Sequence, residues 1–234
     1  MQAYLSGELV PMALAQNYYQ WIMSQFRQHL GKVVCELGPG IGTFSTLLLQ
    51  EDIHQLILVE PSSNLIPNLY QRFSGEARVF VAEGEIEAHT ERLGRAGVET
   101  VVVVNVLEHV EDDRRTLATI GKILPSGGKF LLFAPALPVL FGSLDEAFGH
   151  WRRYRKAELE VKATEAGFQI LDLKFMNLPG IISWFVAGRI LRWRALSPRM
   201  VQSYDRWIVP IAMAIENRLS PPIGPSLMLI ARVA

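Results

Sequence analysis

Three glycines, Gly38, Gly40 and Gly42, interrupt the chain where the apolar run KVVCEL (32–37) gives way to the helix-like segment IGTFSTLLLQ (41–50). Glycine lets a backbone take positive φ and come close to a ligand. The helix start that follows offers unpaired N–H groups to a polar or negative group. Alone, such a turn is a weak sign, because similar turns also serve packing. Two histidines suit proton transfer: His109, after the apolar run TVVVVNV (100–106), and His150, in GHWRRY. A neutral imidazole near pH 7 can take a proton from a hydroxyl; His150 is the preferred base, and for His109 shaping a ligand pocket is the favoured role. Arg152, Arg153 and Tyr154 follow His150 and suit an acidic or hydroxylated ligand. The competing reading of that cluster is an Asp145–Arg153 ion pair that fixes the loop, with Tyr154 as packing. His29, His54 and His89 read as surface residues, and Cys35 as core rather than reactive.

The elements that would position these groups alternate regularly. Apolar runs at 32–37, 55–60, 77–82, 100–106 and within 125–136 are apolar on both faces and separated by helical patterns. Ser62 or Ser63 would cap the helix after the second run, and Asp112 or Asp113 the helix over 112–124. Runs of this kind predict a doubly wound α/β fold, a mostly parallel sheet covered on both sides. The segment PMALAQNYYQWIMSQFRQHLG predicts an N-terminal helix ending at Gly31. KAELEVKATEAGF predicts a helix stopped at Gly167, and FQILDLKFM and SLMLIARVA two more strands. The apolar, Trp- and Arg-containing stretch between those strands is cut by prolines into short helices. The expected organisation is an N-terminal helical lid (1–31), a core (32–176 and 226–234) and a helical cap (177–225).

Composition narrows the classes. With 23 basic and 23 acidic side chains the formal charge is zero, so no general attraction to nucleic acid or acidic membrane follows, and no nucleic-acid partner is expected. One cysteine excludes an internal disulfide framework and a Cys-cluster metal site. No His and carboxylate group has metal-ligand spacing along the chain, so no metal is expected. The opening MQAYLSGELVPMAL lacks the pattern of a signal peptide, and no run has the length of a transmembrane helix. A cytoplasmic protein is the resulting expectation. A nicotinamide or flavin fingerprint wants its third Gly or Ala where Thr43 stands, which disfavours dinucleotide binding.

The pattern strand-Glu36-x-Gly38-x-Gly40-x-Gly42 resembles the first motif of class I S-adenosylmethionine-dependent methyltransferases. Glu60 and Pro61 in LVEPS, Gly84-Glu85-Ile86, Asn105-Val106-Leu107 within NVLEHV, and the Leu124-Pro125-Ser126-Gly127-Gly128 turn follow in that family's order. Asn17-Tyr18-x-x-Trp21 and the run Leu144-Asp145 to Gly149-His150 and Arg152-Arg153-Tyr154 resemble one bacterial branch of it, marked by NVLEHV and LD-x-x-x-GH-x-RRY. The resemblance implies a seven-stranded Rossmann-like methyltransferase fold with S-adenosylmethionine as donor and S-adenosylhomocysteine as product. It implies that Gly38, Gly40 and Gly42 cradle the methionine part and that Glu60 grips the ribose hydroxyls with its two acceptor oxygens. Glu85 and Ile86 would flank the adenine, and Asn105, Val106 and Leu107 would line the cofactor under a lid carrying Tyr18. His150, Arg152, Arg153 and Tyr154 would face a small-molecule or lipid- or glycan-linked acceptor, methylated at oxygen, with His150 or His109 as base. A non-catalytic cofactor-binding scaffold with its partner on residues 177–225 is the other reading. That stretch would cap the acceptor pocket, join a homodimer, or rest on a membrane surface.

Overall fold

In the computed structural model, which describes residues 7–234, the five apolar runs become parallel strands. They are β1 (Val33–Leu37), β2 (Gln55–Glu60), β3 (Val79–Glu83), β4 (Thr100–Val104) and β5 (Lys129–Pro135). With β6 (Phe168–Met176) and β7 (Ser226–Val233) they form one sheet in the order β3-β2-β1-β4-β5-β7-β6. β7 lies between β5 and β6 and runs antiparallel to both. This is the doubly wound, mostly parallel sheet that the strand pattern predicts, and its seven strands match the Rossmann-like fold that the resemblance implies.

Successive strand residues point to opposite faces, and both faces are apolar here. Cys35, Ile57, Val101 and Leu132 face one core, while Val34, Leu56, Val102 and Leu131 face the other. Eleven α-helices among the described residues flank them, beginning with α1 (Leu9–Met12), α2 (Gln16–Phe26), α3 (Thr43–Leu48), α4 (Ile66–Arg72) and α5 (Thr90–Arg95). They continue with α6 (Asp113–Ile123), α7 (Ser143–Phe148), α8 (Lys156–Glu165), α9 (Gly180–Phe185), α10 (Pro198–Trp207) and α11 (Val209–Glu216). Leu93, Leu117, Ile120 and Leu159 bring α5, α6 and α8 onto the first face. Trp21, Ile22 and Phe26 of α2, with Phe44 and Leu48 of α3 and Val209 of α11, fill the second. Each such large side chain withdrawn from water contributes about 1.5–3 kcal/mol.

The expected N-terminal lid is two helices, and its residues 1–6 lie outside the described residues. Its second helix is a packed layer of the core, since Trp21 and Phe26 are buried. Asp205 of α10 accepts the backbone N–H groups of Asn17 (3.0 Å) and Tyr18 (2.9 Å) in the first turn of α2. The carboxylate satisfies donors that a helix start leaves open, and it couples residues 177–225 to the N-terminal segment. Ser62 and Ser63 do not cap α4. That helix starts later, at Ile66 with Pro67 in its first turn, because a turn closed by Leu65 N–H to Ser62 O (3.0 Å) comes first. Asp112 does cap α6, accepting from Arg115 N–H at 3.1 Å. Among the described residues no helix is long and apolar enough to cross a membrane.

Candidate active site

The carboxyl ends of β1, β2 and β4 bring together the loops where ligands bind in open α/β sheets. The turn after β1 is fixed from β2: Gly38 N–H donates to Val59 O (2.8 Å) and Gly40 N–H to Glu60 Oε2 (3.0 Å). Ser62 N–H donates to Glu60 Oε1 at 2.9 Å. Glu60 therefore holds the glycine turn in shape, and its carboxyl is raised by burial against the opposing pull of these bonds. The Ser62 side chain bonds the same carboxylate. Gly38 sits at φ +66°, and a Cβ there would stand 2.6 Å from a Val106 methyl. Only glycine fits that position, and the turn is correspondingly tight.

Beside this turn Glu36 is buried and accepts the Ser45 hydroxyl. Burial pushes its carboxyl up to about 8, the Ser45 bond holds it back, and the neighbouring Glu60 adds to the rise. The Thr43 hydroxyl is buried and finds no hydrogen-bond partner among the described residues. Both line a cavity of about 360 Å³, within the range usual for small-molecule sites. The cavity passes Tyr18 and Asn105 and opens into a chamber walled by Leu144, Phe148, Trp184, Trp193 and Met200. Residues of the predicted cap thus form much of the chamber wall.

The polar side of the chamber is carried by three adjacent groups, Glu108, His109 and His150. Glu108 is 1% exposed, and neither carboxylate oxygen has a hydrogen-bond partner among the described residues. Burial pushes its carboxyl up to about 7, against the pull of His150 and Arg153. Burial, with His150 alongside, lowers His109 to about 3, so its ring is neutral at physiological pH. The His109 and His150 rings meet edge to face, with centroids 4.7 Å apart. His150 Nδ1 lies 3.0 Å from Asp145 Oδ1. Asp145 has no exposure and gathers three further donors: Arg153 Nε (2.6 Å), Gly142 N–H (3.0 Å) and Trp184 Nε1 (3.1 Å). Burial alone would raise the Asp145 carboxyl; the bond from His150, the Arg153 charge and the Trp184 N–H outweigh it and hold it below the ordinary range.

Of the residues singled out by sequence, Tyr18, Glu36, Gly38, Asn105, His109, His150 and Arg153 line this one cavity. Gly40, Gly42, Glu60, Pro61, Val106 and Leu107 do not line it, and Gly84, Glu85 and Ile86 follow β3, where Glu85 is exposed and Ile86 buried. Two expected acceptor-side residues point elsewhere. Tyr154 is fully buried and donates to Asp113 Oδ2 (2.8 Å), with Leu107 O 3.1 Å from the same hydroxyl, while Arg152 pairs with Asp113 at 2.9 Å. The reason is register: just beyond β5, Ala136 forms an isolated parallel bridge with Tyr154, and the Tyr154 side chain is fully buried. The ion pair weighed for the loop is present, but Arg153 is 4% exposed and serves Asp145. Sequence reading assigned no role to Glu108, Thr43 or Glu8. Glu8 also lines the cavity, its carboxyl raised by burial to about 7. Glu108 stood inside NVLEHV, and its acid type next to a histidine was the available signal.

Residues 14–173 match a family model described as a methyltransferase domain. No curated protein matches the chain. Among solved structures, an S-adenosylmethionine-dependent methyltransferase from Mesorhizobium loti superposes with a TM-score of 0.60 at 12% identity, over 92% of this chain and 97% of that one. A S-adenosylmethionine-dependent methyltransferase from Archaeoglobus fulgidus gives 0.57 at 16% identity, over 92% and 94%. The cyclase SpnF gives 0.59 at 14%, over 92% and 79%. At these identities the likeness is one of fold.

Proposed function

Because the chain belongs to the methyltransferase-domain family and is an S-adenosylmethionine-dependent methyltransferase, we propose that it methylates a hydroxyl of a small or lipid- or glycan-linked acceptor held in the apolar chamber. The observation that carries this reading is the continuity of one cavity from the glycine turn to His150. S-adenosylmethionine supplies a methyl group already activated by its sulfonium charge. The residues present fit it: Gly38 lines the cavity at a turn too tight for any Cβ, and the Thr43 hydroxyl is buried without a partner among the described residues. Glu36, Gly38, Thr43 and Asn105 would hold the methionine end, and Glu60, released in part from the turn, the ribose. Glu85 and Ile86 would flank the adenine.

Methyl transfer from a sulfonium needs alignment above all, and positioning supplies that. Asp145 fixes His150 through Nδ1, so Nε2 is the nitrogen left to take the acceptor proton. His109, neutral beside it, would orient the acceptor. The apolar chamber walls favour an acceptor with an apolar body. The outer face of the cap exposes Ile182, Trp207, Ile211 and Leu219, which supports an acceptor delivered from a lipid surface. Replacing His150 by Ala is expected to leave cofactor affinity within twofold and to lower turnover by about 10²–10⁴. Calorimetry with the cofactor and methyl transfer to a panel of hydroxylated acceptors would check both halves. Loss of cofactor binding in this variant would place His150 on the wrong side.

Cofactor affinity itself should depend on pH. Glu36 titrates near 8 in the free protein, so it is protonated at pH 7. A cofactor of net positive charge favours the ionised form and lowers that value, so binding expels a proton. Affinity should therefore rise from pH 6 to 8, by at most about tenfold per unit, and level off above 8. Glu36→Gln should remove the slope; a slope that persists in the variant would assign the proton elsewhere.

A further inference from the structure

We propose that Glu108, His109 and His150 form a binding site for a divalent first-row transition-metal ion at the acceptor end of the cavity. One ligand atom from each lies within 4.8 Å of the others. Around a zinc-like ion, ligands at about 2.0–2.1 Å stand roughly 3.4 Å apart. Closing the set on an ion therefore takes movement of the ligand atoms of about an ångström.

Three features of the group go beyond proximity. Glu108 is almost wholly withdrawn from water with both oxygens lacking a donor among the described residues. A buried carboxylate left in that state is costly, and a cation removes the cost. Each histidine is also oriented from behind. His150 Nδ1 is held by Asp145 at 3.0 Å, and His109 bonds the Gly149 backbone. Metal-ligating histidines characteristically use one ring nitrogen on a carboxylate or carbonyl and the other on the metal. Asp145 is fixed in turn by Arg153, Gly142 and Trp184. Finally, all three groups line the cavity, so coordination positions not taken by protein would face the chamber.

Two imidazoles and one carboxylate suit zinc, manganese(II), iron(II) or cobalt(II) better than calcium, which prefers an all-oxygen shell. With an ion bound, His150 Nε2 is a ligand and no longer a base; the ion would instead receive an acceptor oxygen and lower the pKa of its hydroxyl, with the released proton passing to solvent. That use of the ion rests on the methyl-transfer reading, whereas its binding does not.

The test is a cobalt(II) titration of chelator-stripped full-length protein, followed by visible absorption, with zinc added by calorimetry and S-adenosylmethionine titrated separately. We expect one saturable equivalent, a cobalt ligand-field band that zinc abolishes, and loss of affinity on the order of 100-fold in Glu108→Gln. The exposed-histidine variant His54→Gln should match the unmodified protein. Absence of a saturable equivalent in the unmodified protein overturns the site, as does equal affinity in folded Glu108→Gln. The unmodified protein's cobalt spectrum decides the matter if that variant does not fold. Cofactor binding without metal binding would leave methyl transfer standing and remove this site; metal binding without cofactor binding would do the reverse.

Discussion

Replacing Asp145 by Ala is expected to lower stability by about 3–5 kcal/mol, read from urea unfolding midpoints at pH 7. The loss comes less from the removed side chain than from what it leaves behind. Arg153 is 4% exposed, lies 4.6 Å from the Trp184 ring centroid, and would keep a charge with no carboxylate against it. The Trp184 and Gly142 N–H groups would lose their acceptor as well. Asp145→Ala combined with Arg153→Met should recover part of the loss, because an apolar replacement of both partners removes the unpaired charge. The exposed Glu91–Arg95 pair makes a good contrast: both side chains are more than four-fifths exposed. Breaking it should leave the midpoint unchanged within error. If Asp145→Ala unfolds no earlier than that control, the carboxylate is not what ties α7 to α9.

Gly38→Ala is expected to weaken S-adenosylmethionine binding by on the order of 100-fold, the effect of an ångström-scale displacement at a site that works by positioning. Two costs combine there. A left-handed backbone at φ +66° penalises any Cβ by about 1–2 kcal/mol. The added carbon would also stand 2.6 Å and 2.7 Å from the two Val106 methyls, so the turn or β4's end must move. Gly75→Ala separates the two contributions, since that residue sits at φ +89° with nothing within 4 Å of its Cβ. It should show the backbone cost alone and bind cofactor normally. Equal cofactor affinity in both variants would mean that the Gly38 turn does not form the cofactor cradle.

The sheet could be anticipated because its strands are apolar on both faces, a property of each segment read alone. Strand ends fell within a few residues: β6 matches FQILDLKFM over Phe168–Met176. α3 starts at Thr43 rather than within 41–42 because Gly42, at φ +80°, is left-handed and cannot belong to the helix. Helix starts were less predictable where the capping group comes from elsewhere. α2 carries no local cap, and Asp205, its acceptor, is 188 residues away in sequence from Asn17. The candidate site divides along the same line. Gly38, Glu36 and His150 could be picked out by type and local spacing. That Glu108 and His109 would meet His150 could not, because the meeting depends on how the loop after β5 returns over the end of β4. Tyr154 and Arg152 show the converse: side chains of suitable chemistry beside His150 in sequence turn to Asp113 once the Ala136–Tyr154 bridge sets their direction.

The position of β7 has a consequence for the order in which the molecule can be made. It fills the gap between β5 and β6, yet residues 177–225 separate it from β6 in the chain. While those residues are being synthesised, β5 and β6 each present a whole edge of unpaired N–H and C=O groups. Until Ser226–Val233 arrives they have no partner in the final register. Pairings between sequence-distant segments form slowly, and open strand edges invite association with other chains. Nascent chains stalled before residue 226 would therefore be the species most dependent on chaperones, and the apolar residues of α9 to α11 would add to that exposure. Sealing the sheet is then a late step, and it docks the roof of the chamber in the same event.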